Sequence, residues 1–393
     1  MALLKDLSIN GKGNYGIGAS AVEKSDDLYT YLRITDIRDD GTLNLSDLKS
    51  VDDPEAKKYL LAPNDIVFAR TGASTGRNYF YDGSDGVFVY AGFLIKFSLD
   101  PKKVNPLYVK YYCQSEMYRN WVKSFSTGST RGNINAQTLG NMEVPLLTRA
   151  QQDFLVNVLS PLDAKIKLNQ QINDNLEQQA QALFQKLFIE NADPEWREGT
   201  ISDLGTVVGG STPSKSKPEY YTEHGIAWIT PKDLSVNKSK FITHGENDIT
   251  ELGLKNSSAS IMPEGTVLFS SRAPIGYITI AAGEVTTNQG FKSVIPRPAI
   301  GTPFVYYFLK NALPTIEGMA SGSTFKEVSG STMKSVPAFI PDDETLARFT
   351  EFCSPIFEQQ QMLERQNQSL AALRDSLLPK LMSGEIDASD VSI

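Results

Sequence analysis

Short runs of β-branched and aromatic residues, separated by Gly, Pro, Ser and Asn, fill residues 1–147 and 196–340. Runs of this length with turn residues between them predict short strands. The clearest predicted strands are residues 28–37, 66–69, 87–97, 227–230, 267–270 and 275–281, and segments 108–117 and 304–311 favour helices. We therefore expect an α+β fold with two strand-rich domains in tandem.

Residues 148–195 and 341–393 have a helical pattern instead. Thr148 and Gln151 have the spacing of a capping box at the start of the first helix, and Asp342 is a typical N-cap residue for the second. The pairs Ser160-Pro161 and Ser354-Pro355 predict that each helix breaks and restarts, because proline fits the first turn of a helix and disrupts its interior.

Apolar residues recur at intervals of seven after these prolines. The predicted seam comprises Leu162, Ile166, Asn169, Leu176, Leu183 and Leu187 in the first helix and Ile356, Leu363, Leu370, Leu373, Leu377 and Leu381 in the second. Three to four heptads predict two long antiparallel coiled-coil helices, in which Asn169 would fix the register. The alternative is an amphipathic helix packed on its own domain. The shared heptad phase and the Gln- and Asn-rich remaining faces favour the coiled coil.

The second half of the chain repeats the first. Residues 31–37 return as 228–234, residues 61–76 return as 261–276, and Gly92-Phe93 returns as Gly290-Phe291. Several matched blocks in one order indicate a tandem duplication. The predicted boundaries are 1–147, 148–195, 196–340 and 341–393. Because a helix of ~30 residues spans ~45 Å, paired helices would separate two pseudo-two-fold-related domains by a little more than one ~34–36 Å turn of DNA.

Charge is distributed unevenly along the chain. The net charge is −8, but residues 1–150 and 196–340 each carry +1, whereas residues 151–195 carry −4 and residues 341–393 carry −6. The acidic excess therefore lies in the helical segments. The strand-rich domains are close to neutral and could each have a basic face, so the composition permits DNA binding without requiring it.

The chain has only two histidines and two cysteines, which limits the metal sites and disulfides that it can form. A structural zinc site usually needs four such ligands, and a disulfide framework needs more cysteines, so we expect no metal and a reducing, cytoplasmic location. Residues 1–6 lack the pattern of a signal peptide. No apolar run approaches the ~20 residues of a membrane helix.

The duplicated unit, the Gly-Ser-Thr loops, the heptad helices and the tail from Leu377 to Ile386 together resemble the specificity (S) subunit of type I restriction-modification systems, over essentially the whole chain. The resemblance implies two target-recognition domains, each reading one half of a bipartite site in double-stranded DNA. It implies conserved helices that form a spacer and bind two modification (methyltransferase) subunits, to which restriction subunits can be added. Adenine methylation, cleavage and S-adenosylmethionine binding would belong to those partners, and this chain would be neither an enzyme nor a cofactor carrier.

The sequence lacks complete enzyme motifs, which agrees with a chain whose partners carry the catalytic activity. Residues 11–16 match G-x-G-x-x-G, but no acidic residue ~20 positions later in a βαβ frame accompanies them. The chain contains neither a phosphate-binding loop of the type G-x-x-x-x-G-K-[ST] nor an Asn/Asp-Pro-Pro-Tyr segment. We therefore expect no catalytic residues. One alternative is a protein-interaction scaffold with duplicated ligand-binding domains. A second alternative is an enzyme whose active site the known motifs do not reveal.

Bases and phosphates are read by Arg, Lys, Asn, Gln and hydroxyl groups. The strongest predicted DNA contacts are Thr127, Ser129, Thr130, Arg131 and Asn133, with Ser321, Ser323, Thr324 and Lys326 as their repeat. A second set is Arg70, Thr71, Ser74 and Arg77, repeated as Ser271 and Arg272. A third is Ser211, Thr212, Ser214, Lys215 and Lys217, with the weaker counterpart Lys12 and Asn14; Lys232, Asn288 and Gln289 complete the prediction. The alternative for each is a polar turn or a structural hydrogen bond.

Overall fold

The computed structural model describes residues 1–125, 132–322 and 326–386. The chain divides into two compact units. Unit 1 contains Met1–Ala164 and the C-terminal segment from Leu370, and unit 2 contains Lys165–Ser369. In sequence, unit 2 is therefore inserted between the two segments that build unit 1.

Unit 1 is built from short strands and three short helices within its described residues. The strands are β1 (Ala2–Leu3), β2 (Asn14–Tyr15), β3 (Ala21–Val22), β4 (Tyr29–Leu32), β5 (Lys49–Val51), β6 (Asp65–Ala69), β7 (Asn78–Tyr81), β8 (Phe88–Tyr90), β9 (Leu94–Ser98) and β10 (Glu143–Val144). The helices are α1 (Pro106–Tyr112), α2 (Glu116–Lys123) and α3 (Ala136–Gly140), and 3₁₀ turns cover Ala56–Tyr59 and Gly72–Ser74.

Three strand arrangements organise unit 1. The first is the antiparallel sheet β2-β9-β6-β7, and the second is β3-β5-β4-β8, in which β4 and β8 are parallel. The third pairs β1 with β10. Phe68 and Phe97 of the first sheet pack on Tyr108 of α1 and on Leu155 and Leu159 of the long helix that follows.

Unit 2 has the following strands: β11 (Arg197–Thr200), β12 (Gly205–Gly209), β13 (Tyr221–Thr222), β14 (Ile226–Ile229), β15 (Phe241–Ile242), β16 (Asn247–Ile249), β17 (Val267–Ser271), β18 (Ile275–Ala281), β19 (Thr286–Thr287), β20 (Lys292–Pro296) and β21 (Pro337–Ile340). Its short helices are α5 (Ile201–Leu204), α6 (Pro231–Val236), α7 (Glu251–Lys255), α8 (Thr302–Asn311), α9 (Leu313–Met319) and α10 (Gly330–Ser335), with a 3₁₀ turn at Pro218–Tyr220.

The strand order of unit 2 repeats that of unit 1. The sheets are β12-β20-β17-β18-β15, β13-β16-β14-β19 and the pair β11-β21. The parallel contact between β14 and β19 corresponds to that between β4 and β8. Unit 2 adds β15, which is parallel to β18. The predicted α+β duplication is therefore confirmed, and its two copies share one topology.

Two long helices join these elements: α4 (Arg149–Gln185), which continues as a π-helical turn at Lys186–Glu190, and α11 (Asp343–Ser383). Their predicted caps are confirmed. The Gln151 N–H donates to Thr148 Oγ1 (3.3 Å) and the Thr148 N–H donates to Gln151 Oε1 (3.1 Å). Asp342 Oδ1 accepts from the Thr345 N–H (2.8 Å). Among the described residues, no helix is long and apolar enough to cross a membrane.

The predicted break at the Ser-Pro pairs is wrong. Both helices run through them without interruption, with Pro161 and Pro355 in their interiors. Each proline removes one hydrogen bond, but the residues beside it are anchored. Leu159 lies in the unit 1 core, and Cys353 and Phe357 lie in the unit 2 core. Tertiary packing therefore outweighs the local signal.

Contacts between the helices are antiparallel. In unit 2, Asn169 Nδ2 donates to Gln366 Oε1 (2.7 Å) and Asn367 Oδ1 (2.8 Å), whereas Gln360 Nε2 donates to the Asn173 carbonyl (3.2 Å). Partner numbers fall as residue numbers rise, as the antiparallel prediction requires. Asn169 is fully buried.

The predicted seam residues have two kinds of neighbour. Leu176, Leu183, Leu187 and Ile356 pack on the unit 2 core, and Leu162, Leu377 and Leu381 pack on the unit 1 core. Ile166 and Leu370 are half-buried and Leu363 is buried. The helices therefore pair with each other and also pack on their own units, so features of both interpretations coexist.

Leu373 is a correction to the predicted seam. Its side chain is 47% exposed. The next residue, Arg374, faces α4 instead and places Nη1 3.1 Å from Asp163 Oδ1 within unit 1. The buried face of α11 then continues through Leu378 and Met382, because the helix here packs on the unit 1 core rather than keeping a strict seven-residue repeat.

A buried lysine joins the sheet of unit 2 to both long helices. Lys240, next to β15, has a side chain only 7% exposed. Its Nζ donates to Glu177 Oε2 of α4 (2.7 Å), to Gln360 Oε1 of α11 (2.9 Å) and to the Tyr307 hydroxyl (3.1 Å). Lys310 Nζ binds the other Glu177 oxygen at 2.8 Å. Burial lowers the pKa of Lys240 to about 8 despite the neighbouring carboxylate.

The pKa of Glu177 is also lowered, but here the neighbouring charges dominate and not burial. Burial alone would raise the pKa of its carboxyl group, but the ammonium groups of Lys240 and Lys310 outweigh burial and hold that pKa at about 2. The nearby Glu364 accepts the backbone N–H groups of Lys240 (2.8 Å) and Phe241 (3.1 Å), and burial raises its pKa.

Candidate nucleic-acid interface

In unit 1, several predicted DNA contacts meet at the end of β6. The Arg70 carbonyl accepts from the Ile134 N–H (2.8 Å), and Thr71 forms a β-bridge with Asn133. Asn135 then caps α3 by accepting from the Thr138 N–H (2.8 Å). These bonds place Arg70, Thr71 and Asn133 side by side.

Other predicted residues of unit 1 are engaged within the fold. Arg77 places Nε 2.7 Å from Asp39 Oδ1 and donates through Nη1 to the Ile37 carbonyl (3.2 Å), so its guanidinium makes structural bonds. Ser74 is buried (8% exposed). Lys12 is exposed and Asn14 is half-buried on β2.

The equivalent strand end in unit 2 carries a charged group. The Ser271 carbonyl accepts from the Val328 N–H (3.0 Å), and Arg272 forms a β-bridge with Glu327. The Glu327 carboxylate lies 3.5 Å from Arg272 Nη1 and 3.7 Å from Lys292 Nζ. Ser321 also forms a β-bridge with Glu327, which places Glu327 between Arg272 and Ser321.

A second group in unit 2 lies where β12 ends. The Ser211 N–H donates to the Thr287 carbonyl (2.8 Å), and the Thr212 hydroxyl donates to Gln289 Oε1. A Cβ at Gly210 would lie 1.9 Å from the Asn288 carbonyl oxygen, so only glycine permits this approach. Ser211, Thr212, Asn288 and Gln289 are therefore brought together, although Asn288 Oδ1 already accepts from the Gly290 N–H (2.8 Å).

The remaining predicted residues of unit 2 are scattered. Ser214, Lys215 and Lys217 are exposed in the segment after β12, Lys326 is exposed, and Lys232 lies 2.5 Å from Glu246. Ser271 is a correction: it is fully buried, and its hydroxyl donates to the Gly290 carbonyl (3.1 Å). Six further predictions lie outside the described residues: Thr127, Ser129, Thr130, Arg131, Ser323 and Thr324.

Matching hydrogen bonds correct the sequence pairing of the two copies. Arg70 and Ser271 each accept from the residue that precedes an N-cap, Ile134 before Asn135 and Val328 before Ser329. Arg70 is therefore equivalent to Ser271, and Thr71 is equivalent to Arg272. In the same way, Arg70 N–H bonds to the Phe93 carbonyl and Ser271 N–H to that of Gly290. The sequence match of residues 61–76 with 261–276, which pairs Arg70 with Ser270, and the match of Phe93 with Phe291 are each wrong by one residue. A shift of one residue reverses the face of a strand.

Sequence reasoning missed Phe93, Lys292 and Glu327 at these strand ends. Phe93 is 60% exposed, whereas Phe291, which follows the repeated glycine, is fully buried. The repeat of Gly92-Phe93 hid this difference. No local signal separates the two residues, because each aromatic residue directly follows a glycine.

Reactive groups are sparse elsewhere. Burial raises the pKa of the Cys353 thiol to about 12 and also raises that of Cys113. Such thiols are poor nucleophiles at neutral pH. Within the described ranges, no group of three or more His, Cys, Asp and Glu side chains is arranged to hold a metal ion.

The sequence matches the type I restriction modification DNA specificity domain twice, over residues 10–178 and 194–374. The chain belongs to this family. The resemblance inferred from the repeat, the loops and the heptads is thereby confirmed, and the two matched segments correspond to the two copies of the specificity domain.

Two relatives and one solved structure illustrate this membership. The chain is 38% identical over 189 residues to the MjaIX type I restriction enzyme specificity subunit of Methanocaldococcus jannaschii, an alignment that spans 48% of this chain and only 44% of that relative. It is 24% identical to the HindI specificity subunit of Haemophilus influenzae, over 85% of this chain and 89% of the relative. The crystal structure of an S subunit from M. genitalium shares the specificity-subunit fold, with a TM-score of 0.53 and 17% identity over 97% and 95% of the two chains.

Proposed function

We propose that this specificity-family chain reads a bipartite site in double-stranded DNA, each unit reading one half. The observation that carries the proposal is the duplicated strand end. In both units, a polar segment is bonded to the last residues of the central strand, β6 or β17, beside a helix cap. Arg, Asn, Gln and Lys side chains surround it, and these are the groups that read base edges and phosphates.

The chain would act with partners. We infer that two methyltransferase subunits bind the long helices and that restriction subunits join this assembly. S-adenosylmethionine would be bound by the methyltransferase subunits and not by this chain. The mixed Gln- and Asn-rich faces of α4 and α11 suit contacts with other proteins.

No catalytic role is proposed for the chain itself. His224 and His244 lie in unit 2 without counterparts in unit 1, which a duplicated catalytic site would not leave unmatched. The raised pKa of both thiols supports the same inference. The purified chain alone is expected to transfer no methyl group to DNA.

The test is a map of methylated adenines in cells that express this chain together with a cognate methyltransferase subunit. The expected motif has two short defined blocks separated by a fixed number of unspecified positions. Deleting this chain should abolish the motif while the methyltransferase is still produced. A contiguous motif, or methylation that survives the deletion, would contradict the proposal, and absence of any DNA footprint with the partner present would favour a protein-interaction scaffold.

A further inference from the structure

One row of side chains in unit 1 lies where the central sheet leaves its core. Phe68 of β6 faces the core, and Arg70 follows it by two residues; Ile95 of β9 faces the same core, and Phe93 precedes it by two. Alternate residues of a strand share a face, and the Arg70 N–H donates to the Phe93 carbonyl (3.0 Å). Arg70 and Phe93 are therefore cross-strand neighbours in the first row beyond the core.

Tyr15 joins this row from the neighbouring strand β2, although its backbone lies one row nearer the core. It pairs with Ile95 in the ladder between β2 and β9. Its ring centroid lies 5.1 Å from the Arg70 guanidinium carbon, within cation–π range. Its hydroxyl accepts from the Ala136 N–H (3.1 Å) at the start of α3. The aromatic ring is thus fixed, and it orients the arginine that lies on it.

Arg70 differs from the other half-buried arginines of unit 1. Arg33, Arg77 and Arg374 are each paired with a carboxylate. Arg70 Nε is buried and has no hydrogen-bond partner in the part of the chain that the structure describes. A buried donor without an acceptor is costly. Because Nε is buried, a contact between Arg70 and an external acceptor would have to use its terminal guanidinium nitrogens.

Phe93 adds an apolar contact beside this donor. Its aromatic side chain is 60% exposed. In DNA recognition, exposed aromatic side chains contact thymine methyl groups or wedge between base steps. The guanidinium of Arg70 could donate two hydrogen bonds to the edge of one base while the exposed ring of Phe93 contacts the neighbouring base.

Unit 2 has small residues at all three equivalent positions. Phe93 and Arg70 correspond to Gly290 and Ser271 through the matching hydrogen bond. Tyr15 corresponds to Gly209, because Gly209 pairs with Lys292 in β20 as Tyr15 pairs with Ile95 in β9. A Cβ at Gly290 would lie 2.9 Å from Asn288 Oδ1 and 3.1 Å from Pro231 Cγ, so a larger residue there would have to displace these side chains.

We propose that the row Tyr15–Arg70–Phe93 makes unit 1 specific for a half-site containing guanine. Arg70 donates to O6 and N7 of that guanine, Tyr15 holds the guanidinium in plane, and Phe93 packs on the neighbouring base. Unit 2 reads its half-site without such a row, through Arg272 and Lys292 on either side of Glu327. The inference rests on the proposed function and deepens it by assigning chemistry to each half-site.

The test compares methylated-adenine motifs from the complete chain and its variants, each co-expressed with the methyltransferase subunit. Arg70→Ala should relax one guanine position by about ten- to a hundredfold, since a bidentate contact provides discrimination of that order. Arg70→Lys keeps the charge but loses the fork, so it should relax the same position while sites that contain guanine are still methylated. Phe93→Ala should reduce methylation in the same block, and Arg272→Ala should relax the other block.

Two matched controls separate this role from folding. Val87→Ala removes another exposed apolar side chain of unit 1, and Arg38→Ala removes an exposed charge; both should leave both blocks intact. If the unmodified chain gives no two-block motif, the proposed function fails. If the motif is present but Arg70→Lys still requires every base, or both blocks weaken equally, the proposed function stands and the reading row is overturned.

Discussion

Among single residues, Glu177 has the clearest energetic consequence. It accepts from Lys240, Lys310 and Tyr307, which come from two other parts of unit 2. Its folded pKa of about 2 lies below the ordinary value of 4.5. A carboxyl group with a depressed pKa stabilises the fold above its unfolded pKa, and this stabilisation is lost as the pH falls through the folded value.

We therefore expect the free energy of unfolding of unit 2 to fall as the pH drops from 4.5 to 2, because Glu177 must be protonated against two ammonium groups. Glu177→Gln should reduce that free energy at neutral pH by about 3 kcal/mol, since Lys240 would keep a buried charge without its carboxylate. The acid dependence should flatten in the same variant. Urea unfolding at several pH values measures both effects.

The exposed residue Glu358 provides the control for this prediction. Glu358→Gln should leave both the neutral stability and the acid dependence unchanged. The pKa of Glu364 is raised by burial and, less strongly, by the charge of Glu177. Its opposite contribution is therefore unchanged in Glu358→Gln and becomes smaller in Glu177→Gln. An equally steep acid dependence in Glu177→Gln would show that other carboxyl groups determine it.

Residue-level prediction from sequence succeeded where the determinant is local. Thr148 and Asp342 were identified as caps because a cap depends on a few consecutive residues. Prediction failed in the alignment of the two copies, where a shift of one residue changes which side chains are equivalent. The match of residues 61–76 with 261–276 pairs Arg70 with Ser270, but the ladder bonds show that Ser271 occupies the position of Arg70.

At the level of elements, the uninterrupted helices give a stability prediction. Pro161 and Pro355 are exposed in helix interiors, where proline costs about 3 kcal/mol relative to alanine. Proline also restricts the unfolded chain, which returns up to about 1 kcal/mol. Pro161→Ala and Pro355→Ala should each raise the free energy of unfolding by about 1–2 kcal/mol. Lower urea midpoints would instead show that the helices are built around their prolines.

The corrected helix seam provides a matched pair of leucines on α11. Leu363 is 5% exposed and Leu373 is 47% exposed. Leu363→Ala should cost about 2–5 kcal/mol because it leaves a cavity, whereas Leu373→Ala should change the stability of the isolated chain by no more than about 0.5 kcal/mol. Thermal unfolding of both variants tests the assignment, and equal losses would place Leu373 back in the seam.

Helices and central strands were predictable because their patterns are long or strongly apolar. The predicted strand 275–281 coincides with β18. Strands of two residues, such as β2 and β13, carry too few positions for a period to be recognised. The continuation through Pro161 could not be predicted either, because it depends on a core completed by residues more than 200 positions away.

At the level of the whole molecule, the charge distribution predicts weak DNA binding by the chain alone. The strand-rich regions are near neutral and the helices are acidic, so few phosphate contacts are available to release counterions. We expect the isolated chain to bind duplex DNA no more tightly than about 10⁻⁶ M at physiological salt. Fluorescence anisotropy at several salt concentrations measures this. Tight, specific binding without a partner would show that the chain supplies its own phosphate contacts.

The duplication was the strongest signal in the sequence, and it determined the fold class. The site was only partly predictable. The order of blocks identified the strand ends in both copies, but the chemistry at those ends differs, with Tyr15 and Phe93 in one copy and Gly209 and Gly290 in the other. A repeat reports what the copies share, and specificity depends on where they differ.

The division of the chain also has a consequence for its synthesis. The core of unit 1 includes Leu378, Leu381 and Met382, so the first region to leave the ribosome cannot close its core until the last turns of α11 have been translated. At a translation rate of about 5–20 residues per second, the apolar surface of this region stays exposed for roughly ten to forty seconds. The region encoded in the middle of the gene can meanwhile finish folding, so the order of maturation is the reverse of the order of emergence.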